Sequence, residues 1–255
     1  MAFIPLFDQN PRIYLRYPWV TWGLIALNVY FFISQVSGSQ LDQAAIVYGY
    51  GFIPSVFSGQ DSLPPQLGAV PSVATLVTSL FLHGSIAHLI GNMLFLWVFG
   101  DNVEDAMGHG RFLLFYLVCG VIATLAHFAT APGSPVPVIG ASGAISGALG
   151  AYLLLHPGAR VLVPIIIIPI FLPAWLLLIG WFGLQFLSAT SPGAAYSNVA
   201  FWAHIGGFLA GMALVVPMRR KTVALFGRGR PPRGIRMKRP PRGGTGAGRR
   251  KGPWG

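Results

Sequence analysis

Long apolar stretches, broken by short polar or proline-bearing segments, set the pattern of this chain. Six of them have membrane-crossing length, near 18–37, 84–101, 111–131, 141–156, 172–189 and 200–217. The fourth is short and rich in small residues; buried among the others, it need not reach both surfaces. The stretch "VLVPIIIIPIF" (161–171) is equally apolar. Its Pro164 and Pro169, with Pro173 just beyond, argue against a continuous helix, so it reads as the run-in to the fifth span. The pattern predicts an all-α polytopic membrane protein, a bundle of six transmembrane helices. The segment 38–83 is too long for a plain connector, and its Gly, Pro and aromatic residues suit a loop lying partly in the membrane interface. No inverted internal repeat of the transporter kind is visible.

Composition agrees with this reading. Of 255 residues, 54% are hydrophobic and 9% charged, whereas soluble domains carry about 25% charged residues. The net charge of +11 is unevenly spread, because 13 of the 17 Lys and Arg residues follow Met218. The other four are Arg12 and Arg16 before span one, Arg111 after span two and Arg160 after span four. With six spans all of these fall on one face, and the segments 38–83, 132–140 and 190–199 hold no Lys or Arg at all. The positive-inside rule makes that face cytoplasmic, with both termini there. The start "MAFIPLFDQNPR" lacks the basic head and small-residue cleavage site of a signal peptide, so the first span is expected to stay. The chain thus divides into a cytoplasmic N-terminal segment (1–17), a six-span domain (18–217) and a basic Gly/Pro/Arg-rich tail (218–255). The tail is expected to be disordered. A topological role is the plain reading of it, contact with anionic lipid the sharper one, and no specific nucleic acid is expected. Cys119 stands alone in an apolar run, which rules out an intrachain disulfide and gives a poor setting for a thiolate nucleophile.

Polar side chains inside spans are functional candidates by default. Span two begins "HGSIAHLIGNMLFLWVFG", where His88 and Asn92, four apart, share one helix face. Interhelical hydrogen bonding is the plain reading of such a pair. His83 is placed near the outer surface, within reach of water. Span six begins "FWAHIGGFLAGM", and His204 shares a face with Gly207 and Gly211, a small-xxx-small pair that lets another helix approach. Span four begins in "GASGAISG" (140–147), where Gly140, Gly143 and Gly147 surround Ser142. If the two glycine faces meet, Ser142 and His204 come together, as a serine nucleophile and its general base require. His127 fits no such spacing and reads as a structural or interfacial residue; His109 and His156 read as surface residues at span ends.

Other chemistries fare worse. No His-Glu pair of the zinc-protease kind exists, and no metal or cofactor is expected. The six spans as bounded contain only Asp101, at the edge of the second, which argues against paired aspartates and proton-coupled transport. What remains is hydrolysis by a dyad, Ser142 attacking a carbonyl and His204 moving the proton. The Ser142 N–H, at a helix N-terminus, and the side chains of His88 and Asn92 are placed to hold the oxyanion.

Four pieces in order, "HGSIAHLIGN", "GDNVED", "GASG" and "AHIGGFLAG", resemble the rhomboid family of intramembrane serine proteases. The resemblance covers roughly 18–217. It implies a six-span rhomboid-like bundle, Ser142 as nucleophile, His204 as base, and His88 and Asn92 in the oxyanion hole. It also implies substrates anchored in the lipid bilayer, cut in or beside their transmembrane helix, without metal or cofactor. The chain would then be a multi-pass protein of the cell inner or plasma membrane, its site opening to the outer side. Some members carry an aromatic residue four positions after the nucleophile, where Ser146 stands here, and others a Trp-Arg pair where this chain reads "SVATLVTS". A non-catalytic membrane-protein binding or quality-control factor on the same scaffold is the alternative.

Overall fold

The computed structural model describes residues 4–165, 168–191 and 199–227. It is mostly helical. Helix α1 spans Trp19–Val36, α2 Gln40–Tyr50, α3 Ile86–Met107, α4 His109–Thr130, α5 Ser142–Leu155, α6 Ala174–Ala189 and α7 Phe201–Met218. Among the described residues α1, α3, α4 and α7 are long and apolar enough to cross a membrane, while α5 and α6, at 14 and 16 residues, are shorter.

Except for α2, these helices run alternately between two ends of one bundle. At the first end the N-terminal segment, the α3–α4 junction and the residues after α7 meet: Leu15 N–H donates to Asp105 and Arg220 N–H to the Ala106 carbonyl. At the far end Gln35 and His83 exchange hydrogen bonds, and Phe52 pairs with Val138.

Helix α5 runs through the middle, every residue from Gly143 to Tyr152 buried. A helix enclosed on all sides needs no apolar stripe, and small residues suit it because they let neighbours close in. A Cβ on Gly207 would lie 2.1 Å from the Gly143 carbonyl oxygen, and one on Gly211 1.9 Å from that of Gly147. Gly150 meets the Phe208 carbonyl at 2.1 Å in the same way. The α5–α7 seam is therefore backbone against backbone, and a side chain at any of these positions would force the helices apart.

The structure departs from the sequence reading at three elements. The stretch 161–171 is not an irregular run-in but part of a hairpin, β2 Arg160–Ile165 with β3 Ile168–Pro173, extended by the short strand β1 Phe7–Asp8. In its register Pro164 faces Pro169 and Pro173 faces Arg160. These fall in the alternate set of pairs that exchange no ladder bonds, the set in which the Arg160 and Leu162 carbonyls accept from Gln9 and Leu6 instead. Within the described β2–β3 ladder, Pro164, Pro169 and Pro173 thus sit where no donor is needed.

The second correction concerns the end of span two. The helix does not stop near Asp101 but continues through a π-turn at Leu96–Gly100 to Met107, so that Glu104 and Asp105 as well as Asp101 are helical. Their carboxylates have a use there. Glu104 accepts from the N–H groups of Val20 and Thr21 and from the Thr21 hydroxyl, at 3.0, 2.8 and 2.6 Å. These are first-turn donors of α1, whose own N-cap, Pro18, supplies no side-chain acceptor. Asp105 accepts from the backbone of Ile13, Tyr14 and Leu15.

Third, residues 219–227, counted with the tail, pack back on the bundle: Phe226 and Gly227 donate to the Leu154 and Leu155 carbonyls. The rest of the tail lies outside the described residues. The long segment 38–83 holds α2, opened by a Ser39–Asp42 capping box, and short helical turns at Pro54–Phe57, Thr75–Thr78 and Ser79–Phe81.

Candidate active site

Ser142 opens α5 and His204 lies in the first turns of α7, so the glycine seam that joins these helices also sets the distance between the two side chains. His204 Nε2 lies 2.8 Å from Ser142 Oγ. No side chain caps the N-terminus of α5, which leaves its leading N–H groups directed toward the same place.

Gly140, at φ +126°, turns the chain into that helix, in a conformation that strains any L side chain. Its N–H donates to the Ser79 carbonyl at 2.9 Å. A Cβ there would come within 2.8 and 2.9 Å of the His88 imidazole and 3.7 Å of Asn92 Nδ2. Glycine therefore allows α3 to bring His88 and Asn92 up against the backbone that precedes Ser142. All four side chains line one cavity of about 240 Å³, whose remaining wall includes Phe95, Ile145, Leu149 and Trp181. The cavity is mainly apolar with a few converging polar groups, the form usual for a ligand site.

Sequence reasoning placed His83 near water, but it is fully buried. Its ring nitrogen Nε2 lies 3.0 Å from Asn92 Nδ2, and its backbone is clamped by Gln35, which donates to the His83 carbonyl and accepts from its N–H. An amide donor held by a buried imidazole is oriented before any ligand arrives. The pattern that would have shown this, His83 nine residues before Asn92, only becomes readable once the turn before α3 folds His83 back.

Gln185 and Trp181, both on α6, were also missed. Gln185 Oε1 lies 2.7 Å from His204 Nδ1, and the Trp181 ring leans on the imidazole with centroids 5.9 Å apart. The signal for Gln185 was its being the one amide in the apolar run "AWLLLIGWFGLQFLSA". Ser146, where an aromatic ring was considered, also lines the cavity, its hydroxyl donating to the Ser142 carbonyl at 2.6 Å. His127 has a buried Nδ1 without a partner among the described residues. His109 reaches back to Glu104 at 2.5 Å, and His156 is partly buried after α5. No group of three or more His, Cys, Asp or Glu side chains among the described residues could hold a metal ion.

Against known proteins, the family model described as the rhomboid domain matches residues 71–221. The rhomboid protease GluP of Bacillus subtilis (strain 168) is 32% identical over 222 residues, 83% of this chain and 37% of that protein. The putative rhomboid protease YdcA of the same organism is 40% identical over 78 residues, 31% of this chain and 39% of YdcA. The mitochondrial presenilin-associated rhomboid-like protein A of Danio rerio is 40% identical over 96 residues, 36% of this chain and 25% of that protein. The matched segments thus span well under half the length of each of these relatives.

Proposed function

The chain belongs to the rhomboid family, and we propose that it is an intramembrane serine endopeptidase that hydrolyses peptide bonds in or next to the transmembrane helices of other membrane proteins. The observation that carries this reading is the 2.8 Å approach of His204 Nε2 to Ser142 Oγ inside a cavity shared with His88 and Asn92. The relatives named as rhomboid proteases support it at the level of the family.

In this mechanism Ser142 Oγ attacks the scissile carbonyl carbon while His204 Nε2 takes its proton. The tetrahedral oxyanion is met by the Ser142 N–H, Asn92 Nδ2 and the His88 ring. Collapse expels the amine, to which His204 returns the proton; water then attacks the acyl-serine by the same proton path in reverse. Phe95, Ile145, Leu149 and Trp181 keep the rest of the cavity apolar, which suits residues unwinding from a transmembrane helix. The rhomboid-like domain runs over 18–217 with six spans, the two short helices α5 and α6 crossing within the bundle. The end that gathers Arg12, Arg111, Arg160, Arg219 and Arg220 faces the cytoplasm, with both termini, and the catalytic cavity opens toward the outer side. The basic tail adds contact with anionic lipid.

The test is cleavage of a single-span substrate by the purified full chain, with Ser142→Ala and His204→Ala beside it. Each variant is expected to lose about 10³-fold or more in turnover, and Asn92→Ala about 10²–10³-fold. A fluorophosphonate should label Ser142 in the wild type alone. Absence of both cleavage and labelling would leave a non-catalytic binding role as the reading to pursue.

A further inference from the structure

We propose that Gln185 is a positioning residue for His204: its amide oxygen accepts the Nδ1 proton and so holds the imidazole in the tautomer whose Nε2 is free to take the proton of Ser142. The inference rests on the protease reading above and adds the member that a bare dyad lacks. In a Ser-His pair the base is useful only if Nδ1 carries the proton, because otherwise Nε2 donates toward the serine and cannot accept from it. Something must bond Nδ1–H, and a carboxylate commonly does so. Here the described acids lie elsewhere: Asp8, Asp101, Glu104 and Asp105 at the basic end, Asp42 and Asp61 in the segment 38–83. At His204 Nδ1 the partner is Gln185 Oε1, at 2.7 Å.

The placement on α6 is specific. Trp181 and Gln185 are four residues apart and share a face, one against the imidazole ring and the other at its Nδ1 edge. Neighbouring Ile179, Leu184, Phe186 and Leu187 are exposed, as on a face turned to lipid. An amide in such a helix costs free energy unless it is bonded, and His204 is the partner it finds. With the Ser146 hydroxyl donating to the Ser142 carbonyl, the base is aimed from α6 rather than from the helix that carries the nucleophile.

The test uses the full chain with Gln185→Leu, which removes the acceptor, and the isosteric Gln185→Glu, whose ionised carboxylate can only accept. Both are compared with wild type for thermal unfolding, for kcat and KM across pH, and for the rate of fluorophosphonate labelling of Ser142. Histidine-selective ¹⁵N NMR, with His204→Ala for assignment, reports the tautomer independently of activity. Among the described residues, His88 from α3 and His127 from α4 are the titratable groups whose charge acts on His204; they are common to all three proteins, so a difference between the profiles belongs to position 185.

Gln185→Leu is expected to lower kcat and labelling about tenfold with KM little changed, and to shift His204 away from the Nδ1–H form. Gln185→Glu is expected to retain activity with the acidic limb of its profile moved up by about one pH unit or more. A folded Gln185→Leu with wild-type rates and tautomer overturns the inference, and so does a Gln185→Glu profile whose limb does not move. If wild type neither cleaves nor labels, the protease reading falls instead, while the tautomer still decides whether Gln185 holds His204. Should the Leu variant fail to fold, the Glu profile and the wild-type tautomer decide the matter.

Discussion

Around Ser142 the proposed chemistry depends on single positions that tolerate no side chain. Gly140 is held at a positive φ with the His88 imidazole less than 3 Å from where a Cβ would stand. Gly140→Ala therefore carries both backbone strain, of order 1–3 kcal/mol, and a direct push on a proposed oxyanion group. The expected outcome is a folded protein with kcat at least tenfold lower and KM nearly unchanged. It is checked by steady-state cleavage beside a thermal unfolding curve; unchanged kcat would mean that His88 does not touch the reaction. At this scale the sequence was partly legible. Ser142 and His204 stood out because a serine and a histidine among close-packing glycines are out of place in lipid. Asn92 was visible as a candidate, but the burial of His83 and its hold on Asn92 were not. Gln185 was overlooked although a lone amide in an apolar run follows the same rule that singled out His88.

Between elements, the glycines divide into those that meet a neighbour and those that do not. Gly211 lies on the α5–α7 seam, where an added Cβ would fall 1.9 Å from the Gly147 carbonyl oxygen. Gly180 on α6 has nothing within 4 Å. Gly211→Ala is expected to lower stability by about 1–3 kcal/mol through overpacking and to cost activity as well, since the same seam sets the Ser142–His204 distance. Gly180→Ala is expected to be neutral or to stabilise by up to about 1 kcal/mol from helix propensity. Thermal unfolding in detergent distinguishes the two, and equal effects would show that the seam is not a close contact. The Gly-xxx-Gly spacings announced the seam in the sequence. The pairing of β2 with β3 was not announced, because an apolar run with prolines is compatible with irregular chain, and only the antiparallel register that puts Pro164 opposite Pro169 makes it a ladder.

For the whole molecule, the basic end is where sequence-distant segments are tied together. Asp8 on β1 accepts from the Tyr152 hydroxyl of α5 at 2.5 Å and from Asn102 of α3 at 3.0 Å. Burial, opposed by that hydroxyl bond, pushes the Asp8 carboxyl up from 3.8 to about 7. Since the folded value is the higher one, the folded state binds the proton more tightly. Below pH 3.8 both states are protonated and the shift contributes nothing; between 3.8 and about 7 stability falls as pH rises, then levels off. Asp8→Asn, whose carbonyl oxygen keeps both bonds, is expected to raise thermal stability above pH 7 and to flatten this part of the profile, the difference closing toward pH 4. Unfolding temperatures of the two proteins across pH check this, and parallel curves would rule out Asp8 as the titrating group.

Hydropathy is a local property, and from it alone the chain declared itself an integral, multi-pass membrane protein. The spacing of small residues is local too, and it marked the helix faces that approach one another. What needed the folded molecule was the partner that each polar group finds. Glu104 caps a helix that begins more than eighty residues earlier, His83 turns inward to Asn92, and Gln185 reaches His204 from a separate helix. Inside a bilayer such groups cannot turn to water and must bond within the protein. Which of several candidates they meet depends on how the helices rotate and tilt against one another, and that is decided by packing over the whole bundle.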